Sequence, residues 1–190
     1  MALNPNALVT WDFIKSLKNT FDDAEDLVIG EFLINSISQR VEHLTKRFLP
    51  AADYTLTLAG TGRKEIILPN YPVNSITNLY IDSSRAFGAE TEIAAADYEL
   101  EAKTGIIYLY NQTAPKERGV VKVVFNAGYA TIPEDLQQAV FETFMWNIGR
   151  IRGQGIGIES QSAGGVSVKQ ALTIPSSAWT VFLDYRRADF

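Results

Sequence analysis

The spacing of apolar residues changes twice along this chain, and that change constrains the fold more than any motif does. Leu27, Gly30, Ile34, Ile37, Val41, Leu44 and Phe48 recur at alternating steps of three and four, which predicts one buried stripe along a long helix. Asp22 followed by Glu25 resembles a capping-box start for that helix, and Pro50 ends it. Upstream, Thr10 is placed to cap a short helix carrying Trp11, Ile14 and Leu17 on one side. Gly30 is the one small member of the stripe and predicts a close helix crossing.

From Tyr54 to Phe125 the period becomes two. Six strands are predicted, at Tyr54–Leu58, Glu65–Leu68, Val73–Ile81, Tyr98–Leu100, Ile106–Tyr110 and Val120–Phe125, in simple up-and-down order. An even number of such strands returns the chain to the end it left, so the β region reads as an insertion into a helical body. Helical spacing resumes after Pro133 through Leu136, Val140, Phe144, Ile148 and Ile151, until Gly153 supplies a stop. Five glycines between Gly153 and Gly165 predict a long loop, and a short strand-like piece at Val166–Val168 precedes a last helix from Pro175 to Arg187. The expected class is therefore α+β: a small helical bundle (1–50 and 131–152), an inserted antiparallel β subdomain (51–130), and a glycine-rich loop with a C-terminal arm and short helix (153–190).

With 190 residues, 46% of them hydrophobic, the chain is long enough to bury a core without staples. It has no Cys, which excludes thiol nucleophiles and Cys-ligated metals, and its one imidazole, His43, sits near the polar edge of the long helix. No stretch approaches the roughly 18 apolar residues of a membrane span, and no signal segment opens the chain, so a soluble, unprocessed protein is expected. The net charge of −5 is spread along the sequence, without the basic cluster that nucleic-acid binding by counterion release requires.

The motif-like runs fail on spacing. Gly153-Gln-Gly155-Ile-Gly157-Ile158 lacks the last glycine of a dinucleotide turn and follows a helix instead of a strand. Gly60-Thr-Gly62-Arg-Lys64 lacks the length and hydroxyl of a phosphate loop, and Gly165-Val-Ser167-Val-Lys169 ends in Lys where a nucleophile elbow needs Gly. Asp97, Glu99 and Glu101 alternate with Tyr98 and Leu100, so on a strand they would share one solvated face. No cofactor is implied. What remains is an apolar arm broken by glycines. Ile156, Ile158, Val166, Val168, Leu172, Trp179 and Phe182, with Tyr185, Arg186 and Arg187, are the candidate partner or oligomer contacts. Removing 153–190 is expected to leave the bundle folded. A ligand- or glycan-binding sandwich presenting Tyr71, Tyr108 and Tyr110 is the competing reading, and an enzyme built on the β-region carboxylates a third.

Several strings, in order, resemble the head-tail connector or adaptor proteins of tailed bacteriophages and prophages. They are Asp22-Asp-Ala-Glu25 leading to Val41-Glu-His-Leu-Thr45; Leu68-Pro-Asn-Tyr-Pro-Val-Asn-Ser-Ile76; Phe125-Asn-Ala-Gly-Tyr129 with Pro133-Glu-Asp-Leu136; and Leu183-Asp-Tyr-Arg-Arg187. Lys46-Arg47 stands where the family commonly has a Gly-Arg turn. The resemblance implies a non-catalytic virion protein, made in the host cytoplasm, that forms a ring of about twelve copies. Such a ring lies under the portal protein, extends the DNA channel and meets a stopper or tail-completion protein below. It involves no membrane, and DNA passes through it without specific binding, which suits a weakly acidic chain.

Overall fold

A computed structural model of the chain describes residues 2–18, 21, 24–153, 160–163, 166–169 and 174–187. The chain divides into two compact units, a helical one from 1–49 with 131–190 and a β one from 50–130.

In the helical unit, α1 (Trp11–Leu17) starts at Thr10, whose hydroxyl accepts from the Phe13 amide at 3.1 Å. The long helix α2 (Ala24–Thr45) buries Gly30, Leu33, Ile34, Ile37, Ser38, Val41 and Thr45. This corrects the expected stripe at its ends: Leu27 and Phe48 are more than a third exposed, and Leu44 is only half-buried. The buried face turns onto Ser38 and Thr45 because both hydroxyls find partners. Ser38 accepts from the Leu8 amide at 3.1 Å, and Thr45 donates to the Glu42 carbonyl at 3.3 Å. Asp22 lies outside the described residues, so its capping role does too.

The Trp11 indole lies against Gly30, where a Cβ would collide with its six-membered ring. Trp11 also meets Phe21 and Phe144, with centroids at 5.6 and 6.2 Å, so α1 is held by aromatic edges as well as by burial. Phe144 belongs to α3 (Glu134–Arg152), whose Leu136, Val140, Phe144 and Ile148 are buried as the spacing predicts, while Ile151, the last of that series, is half-buried. At its far end Arg152 pairs with Asp26 of α2 and lies over the Phe21 ring. Beyond α3 come a two-stranded antiparallel ladder, β7 (Ser160–Ala163) with β8 (Val166–Lys169), and α4 (Ser176–Asp184).

The β unit is a pair of three-stranded antiparallel sheets: β1 (Ala52–Leu58), β6 (Val121–Ala127) and β3 (Val73–Ile81) in the order β1-β6-β3, and β2 (Glu65–Ile67), β5 (Ile106–Leu109) and β4 (Tyr98–Glu101) in the order β2-β5-β4. The up-and-down order is thus wrong, although the six strands are present. One hydrophobic cluster draws on both sheets, with Leu79, Val123 and Phe125 from the first and Ile66, Ile107 and Leu109 from the second. The chain still returns to its entry point, because β1 and β6 are neighbours. Ala52 faces Ala127, and the Ala51 amide donates to the Tyr129 carbonyl at 3.0 Å. Gly128, at φ 109°, permits this closure, since a Cβ there would collide with the Pro50 carbonyl.

After β3 the chain turns around Asp82. One carboxylate oxygen accepts from the amide and hydroxyl of Ser84, both at 2.7 Å, and the other from the amides of Ala86 and Phe87 at 2.9 and 2.8 Å. These bonds, led by the Ser84 hydroxyl, hold the carboxyl below its ordinary value and support Arg85 and Phe87 at positive φ. The stabilisation is therefore complete above the ordinary value of 3.8 and is lost as pH falls through the lowered one. Melting of the wild type and Asp82→Asn should differ by a constant gap above about pH 4 and converge below it. A gap that does not change with pH contradicts this assignment.

Lys46, just past α2, takes φ 57°, the left-handed conformation that glycine adopts at helix ends. That explains the position at which the chain departs from the expected Gly-Arg turn. A side chain there costs about 1–2 kcal/mol, partly offset by glycine's greater unfolded freedom of about 0.5–1 kcal/mol. Lys46→Gly should raise stability by about 0.5–1 kcal/mol in chemical denaturation, and a loss would show that the lysine's own contacts outweigh the strain.

Candidate assembly surface

The C-terminal helix is tied to the rest of the helical unit at both ends. Ser177 donates to Glu142 of α3 at 2.8 Å, and the Tyr185 hydroxyl donates to Asp135 at 2.7 Å, so α4 runs antiparallel to α3. The buried Arg47 donates through Nε to the Tyr185 carbonyl at 3.0 Å, and the Arg187 amide donates to the Thr45 carbonyl at 2.8 Å. Ala178 and Phe182 are fully buried. Phe182 is therefore a core residue and not a surface contact, and the helical end of the expected 153–190 arm is part of the bundle. The expectation that the arm can be removed without loss is corrected accordingly: its deletion takes Phe182 out of the core.

The flank of α4 beside that buried face is different. Trp179 is 38% exposed and Leu183 41%, one turn apart, with Arg186 exposed just beyond. Tyr185 and Arg187 are half-buried and engaged as described. Val166 and Val168 lie on β8, in register with Ala163 and Gln161. Ile156, Ile158 and Leu172 lie outside the described residues.

A second apolar patch, which the spacing argument missed, sits on α2. Val28 and Phe32 are 52% and 55% exposed. At about 100° per residue, Phe32 lies roughly 160° around the helix from Ile34, on the side away from the core. The N-terminal segment covers one flank of α2 through Asn4 to Asn35 and Leu8 to Ser38. The other flank meets α3 and α4. Ser36, one turn on from Phe32, borders a cleft with Leu33, Ile37, Arg40 and Asn147. The same one-turn spacing of Val28 and Phe32, off the buried stripe, was visible in the sequence.

Residues weighed for chemistry are scattered. His43 is exposed on α2; Glu99 and Glu101 are exposed on β4, where Glu99 faces Tyr108. Asp97 ends a 3₁₀ turn just before the strand, with its carbonyl accepting from the Tyr110 amide at 3.0 Å, so the strand itself carries Glu99 and Glu101 without it. Tyr108 and Tyr110 are exposed while Tyr71 is half-buried. Among the described residues no three His, Asp or Glu side chains gather to hold a metal, and no helix is long and apolar enough to cross a membrane. Exposed apolar side chains lie on both units, Ile67, Tyr108 and Tyr110 on the β unit and the two pairs of α2 and α4 on the helical one.

Comparison with known proteins agrees with that emphasis on assembly. Residues 9–188 match the head completion protein family, and the chain belongs to it. As a member of that family it is a head completion protein, a structural protein of the virion. No curated protein matches the chain. Its fold is shared by a chain in the neck of an empty GTA particle computed with C6 symmetry, at 22% identity and TM-score 0.63 over 100% of this chain and 95% of that one. A chain from the virion of a native gene transfer agent particle gives 21% identity and TM-score 0.60, covering 100% and 94%. One from the neck of a native GTA particle computed with C12 symmetry gives 21% and 0.58, covering 100% and 97%.

The two faces of α4 should separate by substitution. Phe182→Ala should cost about 3–5 kcal/mol of stability, as a large ring removed from a closed core does. Trp179→Ala, with more than a third of its surface already in solvent, should cost less than half of that in the same denaturation experiment. Equal losses would mean that Trp179 is chiefly a core residue.

Proposed function

We propose that this chain forms a closed ring of about twelve copies beneath the portal protein, where it extends the DNA channel and offers its lower surface to a stopper or tail-completion protein. The observation that carries this reading is the family match over residues 9–188, nearly the whole chain. The symmetry in which the similar neck chains were computed, C6 and C12, supports a ring. A net charge of −5 favours DNA passage without grip, because carboxylates toward a channel repel phosphates. The protein performs no catalysis in this role. Trp179, Arg186 and Arg187 belong to its contact surface, joined by Val166 and Val168 of β8 and by Ile156, Ile158 and Leu172 from the glycine-rich stretch.

Particle production without the chain tests the proposal. Heads should fill with DNA but fail to join tails, and purified chain should co-sediment with portal-bearing heads and restore joining. Normal virions without the chain, or no sedimentation with such heads, would overturn it.

A further inference from the structure

A closed ring of identical copies needs two different patches per copy, one for each neighbour, because head-to-tail contacts are heterologous. The helical unit bears two exposed apolar pairs on separate helices, Val28 with Phe32 on α2 and Trp179 with Leu183 on α4. Their spacings match when the helices are laid antiparallel. From Phe32 the chain runs back four residues to Val28 and three more to Glu25; from Trp179 it runs forward four to Leu183 and three more to Arg186. Both Glu25 and Arg186 are exposed.

Resting on the ring reading above, we infer that α4 of one copy docks antiparallel on the outer face of α2 of the next, with Trp179 on Phe32, Leu183 on Val28 and Arg186 toward Glu25. Val28 with Phe32 and Trp179 with Leu183 each stand one helical turn apart, so the two apolar pairs can be made together, and Arg186, two residues past the end of α4, continues toward the end of α2 that holds Glu25. The aromatic pair supplies the anchor, and aromatic residues dominate such interfaces. The charges fix direction. The start of α2 carries Glu25 and Glu31 besides Asp26, which Arg152 already pairs, whereas Arg40 toward its other end has Glu42 nearby in sequence. Arg186 and Arg187 follow the apolar pair of α4, so the antiparallel arrangement brings Arg186 to Glu25, whereas a parallel one with Trp179 on Val28 and Leu183 on Phe32 brings it to the uncharged Asn35. Within the chain α4 already uses its other face, through Ala178 and Phe182, so both faces of this short helix are employed.

Two one-sided variants test the pairing. Phe32→Asp spoils only the α2 face and Trp179→Asp only the α4 face. Each should raise the protein concentration needed for ring assembly by at least about tenfold, the effect of losing one anchor. Mixed in equal amounts, the two should give dimers that do not grow, because one junction is intact and the next is blocked. Melting curves identify any loss that is merely unfolding, and Leu183→Asp replaces Trp179→Asp if the latter fails to fold. As a second readout, Glu25→Arg should impair assembly and Arg186→Glu in the same chain should restore it. If the wild type forms rings and either one-sided variant forms them equally well, this pairing is wrong while the ring reading stands. A one-sided variant that dimerises alone also overturns it, since that indicates self-pairing of a patch. If the wild type forms no ring in solution or on portal-bearing heads, the ring reading fails and the pairing with it.

Discussion

Antiparallel pairing of β1 with β6 is the contact on which the chain's organisation depends. With Ala52 opposite Ala127 and the Ala51 amide on the Tyr129 carbonyl, the chain leaves the β unit beside the point where it entered. A β unit of about eighty residues can therefore interrupt the helical sequence while its two halves, 1–49 and 131–190, still form one compact unit. The closure demands a residue without a Cβ at Gly128, and β6 meets the demand of the sheet by lying between β1 and β3. Residues far apart in sequence then share a core: Trp11 reaches Phe144, and Arg47 reaches the Tyr185 carbonyl.

The helical unit places its short C-terminal helix in two roles. Phe182 and Ala178 fill the interior, while Trp179 and Leu183 remain half in solvent on a helix fastened by hydrogen bonds at both ends. Such fastening lowers the entropy lost when a neighbour binds, because the helix is already ordered. α2 has the same division, with Ile34 and Val41 inside and Phe32 outside. A structural virion protein, whose work is contact, is well served by this arrangement.

Much of this was legible from the sequence. The change of apolar period located both units and all six strands of the inserted sheets, because burial acts on every second or every third-to-fourth residue whatever the topology. Strand order was not legible: periodicity says which face is buried but not which strand lies beside which, and β6 reaches β1 across more than sixty residues. The ends of the α2 stripe were misjudged because Ser38 and Thr45, polar by composition, become buried once Leu8 and Glu42 satisfy them. Phe182 could not be told from Trp179 by spacing alone, since both sit on a nine-residue helix whose inner face is fixed by α3. The Lys46 turn was visible as a departure from a familiar pattern, and its positive φ gives the departure a physical reason.

The central claim, a ring of this chain at the head–tail junction whose neighbours meet through the helical unit, is tested most directly by electron cryomicroscopy of the neck in particles assembled with it. The account predicts a closed ring of the chain below the portal, with density joining α4 of each copy to α2 of the next. Absence of the chain from the neck, or a ring whose copies touch only through their β units, would contradict it.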